Sequence, residues 1–196
     1  MSTRPWSPRR SHLAPSVASL LAAALVLAAV PALAHEEGTA GAVDLAATLG
    51  ADFERTSGRV VQLAEAIPAD KYGWRPAEGV RSVSEAVMHV AAANFALASA
   101  LGVAPPEGAD LENLEKVTDR EEVLATLKTS IDHAKKALEG AEGTDYNRTV
   151  NAFGFEMPAA RAVVILAAHS HEHLGQLIAY ARSNGVTPPW SQPSGE

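Results

Sequence analysis

The sequence predicts an all-α domain, a four-helix bundle, and three observations carry the prediction. Four long stretches repeat apolar residues at helical spacing, none shows convincing strand alternation, and alanine is the commonest residue, at 39 of 196. Alanine is the best helix former and lets helices pack closely. Aromatic residues are only 5%. The length fits one globular domain, and a hydrophobic fraction of 47% excludes a disordered chain. The absence of Cys excludes a disulfide scaffold, a thiolate zinc site and a cysteine nucleophile. With 16 Lys+Arg against 23 Asp+Glu, the formal charge of −7 argues against a nucleic-acid partner.

The bundle does not begin at Met1. Arg4, Arg9 and Arg10 stand in a start without acids; an apolar run follows over residues 13–30, then Pro31-Ala32-Leu33-Ala34. This is the pattern of a secretory signal peptide over residues 1–34, cleaved after Ala34. An uncleaved anchor is the other reading, but Pro15, Ser16 and Ser19 shorten the strongly apolar core below the ~20 residues a span prefers. The Arg9-Arg10 pair permits twin-arginine export, although its flanking residues fit poorly. The mature chain has 162 residues, 13 basic against 23 acidic, for a formal charge of −10. It is expected to be periplasmic or secreted, without stable membrane association after cleavage, and able to form its core unaided. A homodimer is compatible with the sequence.

Residues 35–43 are polar and Gly-rich, a flexible tail, and the bundle occupies residues 44–196. Leu45, Leu49, Phe53, Val60, Leu63 and Ala66 recur at helical spacing, and Pro68 ends this first helix. Residues 69–81 form a turn-rich connection containing Tyr72 and Trp74. Ser82 and Glu85 make a capping box that opens the second helix, which runs to about Leu101. Pro105-Pro106 and nearby acids mark residues 102–114 as loop. Thr118 and Glu121 make a second capping box, and the third helix ends near Glu139-Gly140. Residues 143–156, with Phe153-Gly154-Phe155, read as irregular. Pro158 suits the first position of a fourth helix that stops at Gly185, and Pro188-Pro189-Trp190 reads as an extended tail. The long connections 69–81 and 102–118 are unusual for a minimal up-and-down bundle and suggest loops covering one end.

The chemistry concentrates in histidines. On the fourth helix, at 100° per residue, His169 and His173 lie about 40° apart on the core-facing stripe with Ile165, Leu166, Gln176 and Leu177. His171 lies about 200° from His169 and points the other way. Imidazoles at i and i+4 share reach to one ion, but they equally make a hydrogen-bonded core pair. His89, mid-way along the second helix, is surrounded by the small residues Ala86, Ala92, Ala93 and Ala96. If that helix neighbours the fourth, His89 completes a three-nitrogen site. Buried neutral histidines without partners are costly, and one divalent ion would account for all three while leaving positions for water or substrate. His133 reads as a solvated residue, His35 as a weak copper chelator at a new N-terminus, and Glu172 as an edge residue or general base. Glu85, one turn before His89, is placed to orient that imidazole, besides its capping role.

At these residues a family resemblance emerges. Lys71-Tyr-Gly-Trp-Arg-Pro-Ala-Glu-Gly-Val-Arg-Ser-Val-Ser-Glu-Ala-Val-Met-His89 resembles the first signature of the DinB-like (damage-inducible, YfiT-type) proteins. His169-Ser-His-Glu-His173-Leu-Gly-Gln176 resembles the second, and Ala179-Tyr-Ala-Arg-Ser-Asn-Gly-Val-Thr-Pro-Pro-Trp190 the usual ending. The resemblance covers nearly all of the mature chain. It implies a four-helix bundle holding a divalent metal ion by three histidines at one end, which by motif are His89, His169 and His173. Zinc, nickel, iron and copper all suit three imidazoles. Some relatives are thiol-dependent transferases or isomerases, and others are labelled metal-dependent hydrolases. The export signal departs from the cytoplasmic members, and a secreted transferase would lack the low-molecular-weight thiol that the cytoplasm supplies. The expectation is therefore an exported metal-dependent hydrolase of an unknown small substrate. A non-catalytic metal- or ligand-binding bundle, a scavenger or sensor, is its competitor.

Overall fold

Side-chain caps set where the first three of the described α-helices begin. A computed structural model describes residues 43–192. The expected signal peptide, His35 and the tail up to residue 42 lie outside the described residues. The Asp44 carboxylate accepts from the Ala47 amide at 3.0 Å and opens α1 (Leu45–Ala66). The same carboxylate accepts from Gly143 N and from the Tyr146 hydroxyl, both at 2.6 Å. One acidic side chain thus caps a helix and ties down a loop at partners 99 and 102 residues away in sequence. The hydrogen bonds, chiefly that from Tyr146, lower its pKa to about 2.

The connection after Pro68 folds as a 3-10 turn, Ala69–Lys71, and buries Tyr72, whose hydroxyl donates to Ala64 O at 2.8 Å. Val83 N and Ser84 N donate to Trp74 O and Tyr72 O, so this loop is hydrogen-bonded to the start of α2 (Val83–Leu101). The Ser82–Glu85 capping box forms as the sequence predicts, and Gly102 at φ 110° ends the helix. By length and composition α2 could cross a membrane, but two thirds of its apolar window is buried in the bundle, which accounts for that apolarity.

A second 3-10 turn, Leu114–Lys116, precedes α3 (Arg120–Ala141). Here the cap is Asp119, accepting from Glu122 N at 3.0 Å, one residue beyond the expected Thr118–Glu121 box. An ionised carboxylate complements the positive helix start better than a hydroxyl, and Asp119 takes the position.

Residues 143–156 are not simply irregular. They contain β1 (Thr149–Ala152), and β2 (Phe155–Pro158) pairs with it antiparallel, Val150 opposite Met157 and Ala152 opposite Phe155. Val150, Ala152 and Met157 are buried, but four residues per strand give too few alternations to register as a period. The hairpin runs directly into α4 (Ala159–Ser183). Pro158, expected as the first helical residue, is instead its cap at ψ 144°, because it still belongs to β2. The open amides of Ala159 and Ala160 donate to Arg148 O and Tyr146 O. Gly185 at φ 75° follows the end of α4, and residues expected as an extended tail include a 3-10 turn, Pro189–Ser191. There the Arg59 guanidinium lies over the Trp190 ring.

Each of α1 and α2 packs against both α3 and α4, so α1 sits diagonal to α2 and α3 diagonal to α4, while the consecutive α2 and α3 are neighbours. The connections from α1 to α2 and from α3 to α4 span these diagonals. Phe53, Leu63, Met88, Leu97, Leu127, Leu166 and Leu177 fill the interior. The contact of α2 with α4 is what brings His89 toward the pair of histidines on the last helix.

Candidate metal centre

The α2–α4 seam brings three imidazoles together, tilted or edge-on to one another. His89 Nε2 lies 3.4 Å from His169 Nε2, which lies 3.1 Å from His173 Nε2. All three side chains offer a ligand atom within a 4.8 Å span. His173 is buried, and His89 and His169 are half-buried. Ligand nitrogens 2.0–2.1 Å from a tetrahedral ion stand about 3.3 Å apart, so these separations suit a common ion.

The outward nitrogens of His89 and His173 are tied down, and the ties settle those two tautomers. The Tyr180 hydroxyl donates to Arg81 O at 3.1 Å and therefore accepts from Gln176 Nε2 at 2.8 Å. That leaves Gln176 Oε1 toward His173 Nδ1 at 2.7 Å, an oxygen that only accepts, so Nδ1 carries the proton. His89 Nδ1 meets Glu115 Oε1 at 2.8 Å. Burial works to raise the Glu115 pKa. Arg81, bonded to both its oxygens at 2.9 and 3.1 Å, and His89 outweigh burial and hold it below the ordinary value. An ionised Glu115 accepts, so His89 Nδ1 is also the donor. Both Nε2 atoms then present lone pairs toward His169. Three convergent nitrogens can share at most one proton on His169 Nε2, whereas a cation satisfies all three.

Electrostatics agree with this arrangement. Burial, then the neighbouring His173, His89 and Arg81, push His169 down to about 4. Burial also lowers His173, against the opposing bond to Gln176. These two imidazoles are therefore neutral at pH 7, the form that binds a metal. His169 Nδ1 is buried and has no hydrogen-bond partner among the described residues. Beside the trio opens a pocket of about 470 Å³ lined by His89, Ala92, Ala93, Ala96, Leu111, Phe153 and His169. Ala92, Ala93 and Ala96 make the room their size suggests, while Ala86 is fully buried in the core.

Of the other candidates, His171 is exposed on the opposite side of α4, its Nε2 2.6 Å from Asp52 and 3.0 Å from the Thr56 hydroxyl. Glu85 does not orient His89; it serves the capping box and Arg75, because the return of the 102–119 loop gives that place to Glu115. Glu172 is exposed and does not line the pocket. His133 is half-buried rather than solvated, with its Nδ1 3.0 Å from Thr129 O and its ring edge-on to Phe95. Sequence reasoning missed Glu115 and the roles of Arg81, Gln176 and Tyr180. Only the i+3 spacing of Gln176 from His173 was there to be seen.

A family model, the DinB superfamily, matches residues 52–177, which include His89, Glu115, His169, His173 and Gln176. The chain belongs to the DinB superfamily. Two crystal structures share the DinB fold: a DinB-like protein from Bacillus cereus ATCC 10987, and the DinB-like protein YjoA from Bacillus subtilis. The first is 17% identical at a TM-score of 0.58, covering 70% of this chain and 93% of its own. The second is 24% identical at 0.58, covering 75% of this chain and 96% of its own. Comparison with curated proteins gives no match.

Proposed function

We propose that this DinB-superfamily protein is an exported metal-dependent hydrolase of a small molecule, with His89, His169 and His173 as the ligands. One observation supports the reading above all: three imidazoles converge with two of their protons fixed on the far nitrogens, beside an open pocket. A bound divalent ion supplies Lewis acidity and a water of lowered pKa. Glu115 and Gln176 hold the Nε2 lone pairs of His89 and His173 inward, Arg81 keeps Glu115 ionised, and Leu111 and Phe153 give the pocket an apolar wall. Zinc, nickel and iron are the ions this donor set favours. Export rests on the sequence of residues 1–34.

A second reading has its own support. Apart from the two imidazoles, the residues lining the pocket offer no carboxylate, hydroxyl or amine to act as a base. That favours a non-catalytic binder of a metal or small ligand, while thiol transfer stands third. The test is metal analysis of untagged protein recovered from outside the cytoplasm, with N-terminal sequencing, then an ester, amide and lactone panel with and without chelator. Turnover that chelator abolishes, in protein starting at His35, is expected. Bound metal without turnover on the panel selects the binder.

A further inference from the structure

The hairpin tip is built against the usual rules for turns. β1 and β2 are joined by two residues, Phe153 at φ 55° and Gly154 at φ 79°. Two consecutive left-handed residues define a type I′ turn, whose first position favours Asn, Asp or Gly. A large side chain there is strained, and this one is also 53% exposed. Neither the turn nor the core gains from it. Its ring instead forms part of the pocket wall that His89 and His169 share. The strands hold it firmly in place, since Val150 and Met157 anchor the hairpin in the bundle.

The lining of that pocket is divided. Ala92, Ala93, Ala96, Leu111 and Phe153 are apolar, and the imidazoles are the polar groups. A sugar, a nucleotide or a zwitterion entering it would lose water without gaining partners. A carbonyl or hydroxamate oxygen directed at the imidazoles, carrying an alkyl or aryl group against the alanines, leaves nothing unpaired.

We propose that the ligand is a small molecule joining a metal-coordinating oxygen to one apolar alkyl or aryl group, and that Phe153 is the wall that grips this group and limits its size. The proposal rests on the three-histidine metal reading for the oxygen but not for the apolar group, and the experiment separates the two. Zinc content is measured first; benzohydroxamate and acetohydroxamate are then titrated calorimetrically into zinc-loaded wild type, Phe153→Ala, Phe153→Asn and Phe155→Ala. Phe155, 71% exposed on the same hairpin but outside the pocket, is the control. Wild type and Phe155→Ala should prefer the aryl compound by roughly tenfold, the preference expected for burying one ring. Both Phe153 variants should reduce the preference to about threefold or less, and Phe153→Asn, which suits a type I′ turn, keeps the hairpin folded. Equal affinity for the two compounds in wild type, or an unchanged preference in Phe153→Asn, overturns the proposal. If zinc fails to bind, the metal reading falls. Toluene binding to the metal-free protein, followed by ligand-observed NMR, then decides the pocket: signal attenuation lost in Phe153→Asn supports it, and no attenuation in wild type overturns it.

Discussion

Two histidines in this bundle are held by carboxylates, His89 by Glu115 at 2.8 Å and His171 by Asp52 at 2.6 Å. Judged by that bond alone they are equivalent. They differ in which nitrogen is tied and in what the other one faces. Glu115 takes His89 Nδ1 and turns Nε2 toward two more imidazoles across the α2–α4 seam. Asp52 takes His171 Nε2, the atom that also meets Thr56, on an exposed face shared with Arg55. The first pair aims a lone pair into a pocket; the second joins α1 to α4 at the surface. An imidazole–carboxylate bond becomes a site only when the remaining nitrogen has somewhere to point.

The strongest test of that contrast removes one histidine from each setting. His173→Ala should weaken metal affinity by more than about 100-fold, since two imidazoles remain. His171→Ala should change it less than about threefold, because its tie to Asp52 is exposed and outside the centre. Chelator competition measures both, and equal losses would erase the distinction.

Exchanging the carboxylates comes next. Glu115→Gln should cost roughly 10–100-fold in metal affinity by loosening the His89 tautomer. Glu85→Ala should leave affinity unchanged and lower stability by about 1 kcal/mol by removing the capping box, read by denaturant titration. The reverse pattern would return the orienting role to Glu85.

The pH dependence of the metal-free protein is a smaller effect with a definite sign. Native His169 is lowered to about 4, mainly by burial, whereas in the unfolded chain it takes a proton near 6.5. Between those values the unfolded state binds a proton the native state refuses, so stability falls as pH drops from about 6.5 toward about 4. The melting temperature should therefore be lower at pH 5 than at pH 7.5, and His169→Leu should flatten that slope. An unaltered slope would mean that His169 is not the group responsible.

The smallest expected effect is at the turn. Phe153→Asn should raise stability by about 1 kcal/mol, a few degrees in melting temperature, by placing a residue suited to the left-handed region at φ 55°. A fall in melting temperature would show that the ring contributes packing which outweighs the strain.

What the sequence made legible follows from range. Helices announce themselves through a 3.6-residue period and local caps, so α1 and α2 stand close to where their apolar residues and the Ser82–Glu85 box put them. The i, i+4 spacing placed His169 and His173 together, and the opposed direction of His171 came from the same geometry. Glu115 could not be read this way. It reaches His89 only because Leu114, buried beside it, anchors a loop 26 residues downstream of that histidine. The hairpin escaped for a related reason: its strands are too short to show a period, and its turn carries Phe where a turn signal would carry Asn.

The distance in sequence between α2 and α4 also orders events in time. His89 and His169 are 80 residues apart, and α4 is synthesised after α2 and α3. No local fragment of the chain can assemble the trio, because α2 meets α4 only after two long connections have closed around the bundle ends. A chain threaded through a membrane unfolded would therefore arrive with its ligands scattered and select its ion from the outer medium. One exported already folded would carry an ion chosen inside. If the chain is exported and the trio takes an ion, that ion would record the compartment in which α4 docked.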